Sequence, residues 1–112
     1  MFKSITGYPN YEVNELWEVR NSKTWRILKP WKDTWGYPIV SLSMNGKRST
    51  RKVHRIVCSA FILNTDNKKD VNHKNGIKTD NRVENLEWAT RSENILHAYA
   101  IWLRKWGNGS NF

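Results

Sequence analysis

The stretch from Val71 to Glu93 constrains the fold more than any other part of this 112-residue chain. Val71 to Asn75 reads as a short strand that runs into a turn at Asn75-Gly76, the residue pair that most easily takes up turn backbone. Leu86-Glu87-Trp88-Ala89 reads as the returning strand. Thr90-Arg91-Ser92-Glu93 matches a capping box, with the Thr90 side chain bonding forward and Glu93 reaching back. A helix is therefore expected from near Arg91 to about Lys105, with Ile95, Ala98 and Trp102 facing the core. Strand, turn, loop, strand and helix make a ββα unit, which lets a strand residue and a helix residue converge on one ion.

The first half reads as β structure. Tyr11–Val13, Trp17–Arg20 and Trp25–Leu28 look like short strands, and Ile39 to Leu42 alternates apolar and polar residues with the period of two that a half-buried strand requires. Asn45-Gly46 is a strong hairpin signal, because both residues accept the positive φ of a primed turn. Lys47 to Val53 follows as its return strand. Val53, Ile56, Val57, Ala60 and Phe61 then fall at helical spacing. The expected class is α+β: a β-rich module over 1–52, a ββα core over 53–106 and a tail over 107–112, expected by length to form one compact unit.

Charge narrows the partners. Nineteen Lys and Arg against ten Asp and Glu give a net charge of +9, which points to nucleic acid. Residues 1–52 carry ten basic and four acidic residues, so phosphate contacts are expected there, at Lys47, Arg48, Arg51, Lys52 and, just beyond, Arg55. No apolar run approaches the ~20 residues needed to span a bilayer, so no membrane role and a cytoplasmic location are expected. The single Cys58 excludes an internal disulfide and a Cys-rich structural zinc site, and its apolar neighbours make it a core residue. Seven tryptophans are many for this length; Trp17, Trp25, Trp31 and Trp35 are expected to fill the core of a small sheet.

His73 is the candidate base. An imidazole titrates in the range needed to take a proton from water near neutral pH. Asn72 and Asn94, at the fourth helical position after the Thr90 cap, would offer oxygen ligands, which favour one Mg²⁺ or Mn²⁺. Lys74, Lys78 and Arg82 lie in the intervening loop and would bracket a phosphate. His97 reads as a surface residue, and His54 as a helix-start residue without assigned chemistry. Asn75 reads as a turn residue, and Asn85 as a tie between loop and strand.

Val71-Asn72-His73-Lys74-Asn75-Gly76, Asn81 to Trp88 and Thr90 to Asn94 together resemble the HNH homing endonucleases of phages and group I introns. Ile5-Thr6-Gly7-Tyr8, Tyr11-Glu12-Val13-Asn14 and Val19-Arg20 resemble the NUMOD-type module that precedes HNH in that family, and the similarity covers roughly residues 2–98. The resemblance implies that His73 is the general base, Asn72 and Asn94 the metal-binding positions, and Asn85 the middle asparagine that constrains the loop or the base. It implies a double-stranded DNA substrate, one strand nicked per monomer, and the host-cell cytoplasm for a phage-encoded chain. In some members an Asp stands at the position of Asn72, and a neutral amide holds a hard cation less firmly than a carboxylate. Only Ile101 to Phe112 follows the motif helix, so a short or degenerate target, a homodimer or a helper protein is expected. A DNA-binding module of weak or absent catalysis is the alternative.

Overall fold

The computed structural model describes residues 1–104. The expected tail over 107–112 and the expected helix end at Lys105 lie outside the described residues. Three small antiparallel sheets and two helices form an α+β fold. The first sheet runs in the order β1 (Lys3–Ile5), β2 (Tyr8–Val13), β3 (Val19–Asn21), the second β4 (Trp31–Lys32), β5 (Pro38–Met44), β6 (Lys47–Lys52). α1 (Val53–Phe61) follows β6 directly. β7 (Asp70–His73) and β8 (Leu86–Ala89) pair as a two-stranded ribbon, with a single 3-10 turn at Val83–Asn85 between them, and α2 (Arg91–Trp102) closes the order.

α1 is the hub. Its Val53, Ile56, Val57 and Cys58 pack with Ile5, Val13 and Val19 of the first sheet, Val40 and Leu42 of β5, and Val71 and Leu86 of the ribbon. Fully burying a Val or Leu contributes about 1.5–3 kcal/mol, and several of these side chains are wholly buried, so this shared core fixes the sheets around one helix. The β5–β6 hairpin turns at Asn45 (φ 53°) and Gly46 (φ 80°). Two successive positive φ values make the primed turn whose twist suits the flanking strands.

Three expectations are corrected. Trp25–Leu28 is not a strand: only an isolated bridge joins Ile27 to Arg20, and Trp25 has φ 64°. Trp25, Trp31 and Trp35 are exposed rather than in the core. Trp25 and Phe2 instead lie on either side of the Arg20 guanidinium, at 4.0 and 3.6 Å from the ring centroids. A flat cation stacks on aromatic faces, so aromatic area is spent covering a charge that is also paired with Glu12. Finally, α2 begins as expected, with Glu93 N donating to Thr90 Oγ1 and Thr90 N to Glu93 Oε1, but it buries no residue fully. Ile95, Ala98 and Trp102 are exposed, and the half-buried positions are Asn94, His97 and Ile101.

Candidate active site

β7 presents Asn72 and His73 in succession. Neighbours on a strand point to opposite faces, yet both border one cleft of about 210 Å³ that Asn94 and His97 of α2 also line. β7 ends at His73, and the cleft opens where the strand stops. Gly76 gives α2 room here: at φ 75° a side chain would be strained, and its Cβ would meet Ile101 Cδ1 at 2.7 Å, so the Ile101 side chain would have to shift.

His73 is buried, and its Nε2 lies 2.6 Å from the Asn81 Oδ1. An amide oxygen only accepts, so the imidazole proton sits on Nε2 and Nδ1 keeps its lone pair. Burial pushes the His73 pKa below its ordinary value, with the Asn81 hydrogen bond and Asp80 opposing and Lys78 assisting. The ring is therefore neutral at neutral pH, the form that can take a proton. The His54 and Tyr37 rings lie 5.1 and 6.0 Å from it, centroid to centroid. His54 is buried, and desolvation, with repulsion from His73 and Lys52, takes it down to about 3. It does not cap α1, whose N-cap is Lys52 without a side-chain bond.

The loop between the strands is held by Asn85. Its Oδ1 accepts from Asn75 N at 3.0 Å, and its Nδ2 donates to Asn75 Oδ1 and to the Asp80 carbonyl, both at 2.9 Å. Asn85 thus clamps the loop, while the residue on His73 itself is Asn81. The His97 Nε2 lies 2.8 Å from the Lys74 carbonyl, so His97 belongs to the cleft rather than to an open surface. Lys78 borders the cleft, donating to the Trp35 carbonyl at 2.9 Å and lying 4.9 Å from the Tyr37 ring. Arg82 is exposed but paired with Asp80 and Glu84, and its hydrogen bonds hold the Asp80 carboxyl down to about 2. Lys74 is exposed.

Asn72 and Asn94 both face this cleft and offer amide oxygens, hard donors suited to Mg²⁺ or Mn²⁺. Among the described residues no three His, Cys, Asp or Glu side chains cluster as a ligand set, so a cation here would rest on those oxygens, water and phosphate. The residues fit one divalent ion with open positions.

The basic residues of β6 divide by alternation. Arg51 pairs with Val40 and Lys47 with Met44, on the face that carries the core, whereas Arg48 and Lys52 pair with Ser43 and Ile39 on the other. Lys52 Nζ is 3.9 Å from Asp33. Arg51, Lys52 and Arg55 share a cavity of about 340 Å³ with Tyr8. The expected stripe is therefore two rows along one hairpin edge, apart from the lining of the cleft.

Sequence reasoning passed over Asn81, His54, Tyr37 and Glu87. Asn81 stood in the motif as one more loop asparagine; only the path of the loop shows that it reaches His73. His54 gave a weak signal, a polar residue between the apolar positions 53 and 56 of an amphipathic helix.

A histidine at a strand end, a clamped loop and a capped helix round one cleft make a ββα arrangement. Residues 51–96 match the family model described as HNH endonuclease. The chain carries an HNH endonuclease domain, and its relatives are HNH endonucleases, among them the HNH homing endonuclease I-HmuI. It is 35% identical over 95 residues to the DNA endonuclease I-HmuI of Bacillus phage SP01, covering 84% of this chain and 55% of that protein. It is 39% identical over 104 residues to an uncharacterized HNH endonuclease of Acanthamoeba polyphaga mimivirus, covering 93% of this chain and 31% of that one. A solved structure concerned with DNA binding and cleavage by I-HmuI superposes with a TM-score of 0.82 at 33% identity, over 89% of this chain and 58% of that one. The chain thus spans about a third to just over half of these relatives.

Proposed function

We propose that this protein is a metal-dependent HNH DNA endonuclease of phage or mobile-element type, which hydrolyses phosphodiester bonds and nicks one strand of duplex DNA per monomer. The observation that carries the reading is the convergence of His73, Asn72 and Asn94 on one cleft, with the His73 Nε2 proton engaged by Asn81.

In this mechanism the His73 Nδ1 takes the proton of the water that attacks phosphorus in line with the departing 3′ oxygen. Asn81 keeps the ring in that tautomer, and burial keeps it unprotonated before the step. Asn85 holds the loop that carries Asn81 and Lys78. Asn72 and Asn94 would hold a divalent cation, Mg²⁺ or Mn²⁺, which would supply charge stabilisation for the phosphate and the departing oxygen. Lys74, Lys78 and Arg82 approach the phosphates beside the cut. Lys47, Arg48, Arg51, Lys52 and Arg55 hold the flanking backbone, and residues 1–52 act as a NUMOD-type module along the duplex. The products carry 5′-phosphate and 3′-hydroxyl ends, and the reaction takes place in the host-cell cytoplasm.

Nicking of supercoiled plasmid carrying target-genome DNA tests this, with Mg²⁺ or Mn²⁺ against chelator and wild type against His73→Ala. Metal-dependent nicking lost in His73→Ala is expected. Nicking that survives His73→Ala would remove the base assignment. The second reading, a DNA-binding module of weak catalysis, draws on the neutral amide at Asn72. It predicts duplex binding in chelator without nicking under any metal.

A further inference from the structure

Glu87 stands directly opposite Asn72 in the β7–β8 register. The Asn72 Nδ2 donates to Glu87 Oε2 at 2.7 Å. A carboxylate accepts hydrogen bonds and does not donate them, so only the NH₂ end of the amide can face Glu87. The Asn72 Oδ1 is thereby turned the other way. Asn72 stands between two cavities. The smaller, about 180 Å³, is lined by Glu87, Glu93 and Lys68. The larger is the cleft of His73 and Asn94, which Glu87 does not line.

Glu87 is half-buried, and among the described residues its side chain makes no ion pair in a chain of net charge +9. Lys68, the lysine that lines that cavity, is 3.0 Å from Glu93 instead. The polar contact recorded for the Glu87 side chain is the one to Asn72. An aspartate ligand has two equivalent oxygens and cannot face the wrong way. An asparagine has a right end and a wrong end, and the wrong end presents N–H groups to a cation.

We propose that Glu87 is a positioning residue: it fixes the Asn72 carboxamide with Oδ1 toward the cleft, and so makes an asparagine serve as an oxygen ligand for a divalent cation. This rests on the metal-site reading above. Groups that orient metal ligands from behind change affinity by about 10–100-fold when removed.

The test is Mn²⁺ binding to the full chain by titration calorimetry, with amide NMR of the metal-free protein. Glu87→Ala is expected to weaken Mn²⁺ binding about tenfold, and to move the Asn72 side-chain amide protons to the positions of a solvated amide. Glu87→Gln keeps an acceptor oxygen and a partner for Asn72, so a folded protein with a smaller loss is expected. In an Asn72→Asp background the ligand has no wrong end, and Glu87→Ala should then cost little or nothing. An equal cost in both backgrounds would overturn the proposal, because the effect would be one of charge or folding. Unchanged Mn²⁺ binding in Glu87→Ala would overturn it alone. Absence of Mn²⁺ binding by the wild type, or binding indifferent to Asn94→Ala, would overturn the metal reading and this assignment with it.

Discussion

His73 and Asn81 meet at 2.6 Å, ring nitrogen to amide oxygen, at a point where Asn81 has no solvent exposure. The contact decides which nitrogen of the His73 ring is free. If that is its role, Asn81→Ala should lower kcat by about a hundredfold, the scale of a misplaced general base, with KM little changed. Asn81→Asp should do something different. A carboxylate would stabilise the imidazolium and raise the His73 pKa. Because the protonated ring is inactive as a base, the acid limb of the rate profile should move to higher pH. Plasmid nicking across pH reads both effects, and an unmoved limb in Asn81→Asp would show that Asn81 does not hold the base.

His54 should make the fold acid-sensitive. Its pKa falls from 6.5 in the unfolded chain to about 3 in the native one, mainly by desolvation. Between those values the unfolded chain binds the extra proton, so stability rises with pH. The stability is fully present above pH 6.5 and is lost as pH falls toward 3. At about 1.4 kcal/mol per unit the loss is on the order of 3 kcal/mol by about pH 4. Urea unfolding at that pH and at neutrality should show a steep drop in the wild type and a shallower one in His54→Leu. Parallel drops would place the acid sensitivity elsewhere.

The hairpin edge should account for much of the salt dependence of DNA binding. Each phosphate neutralised contributes about 0.9 to the slope of log K against log salt. Lys47 and Arg48 are exposed and unpaired among the described residues, so replacing either with Gln should lower the slope by about 1. Lys52, within reach of Asp33 and 4.9 Å from the Tyr37 ring, should change it less. Fluorescence anisotropy on a duplex over a salt series measures this. An unchanged slope in Lys47→Gln and Arg48→Gln would put the DNA on another face.

Local chemistry was legible wherever a few adjacent residues decide the backbone. The Asn45-Gly46 turn, the five apolar positions of α1 and the Thr90–Glu93 box each specify their structure within one or two turns of chain. The approach of Asn72, His73 and Asn94 to one cleft followed from the order of those elements. Long-range pairings were not legible. Trp25 looks like core by composition, but it covers Arg20 from the turn after β3, together with Phe2, which lies 18 positions away along the chain. β1 and β4, three and two residues long, are too short to carry a period. Asn81 and His54 reach His73 across 8 and 19 positions of chain, and nothing in a residue's immediate neighbours encodes that meeting. The expected inner face of α2 failed for a related reason: Ile95 and Trp102 have helical spacing, but the half-buried side of α2 is the one that carries Asn94, His97 and Ile101.

That absence of a buried face on α2 makes the two sides of the cleft unequal. One side, with His73 and Asn81, is set into the interior through β7, α1 and the ring of His54. The other, with Asn94, is pinned at its first turn by Thr90, Glu93 and the reach of Lys68. One side of the cleft is therefore built into the core and the other lies on the surface, so substitutions on the outer face of α2 are expected to disturb Asn94 before they disturb His73.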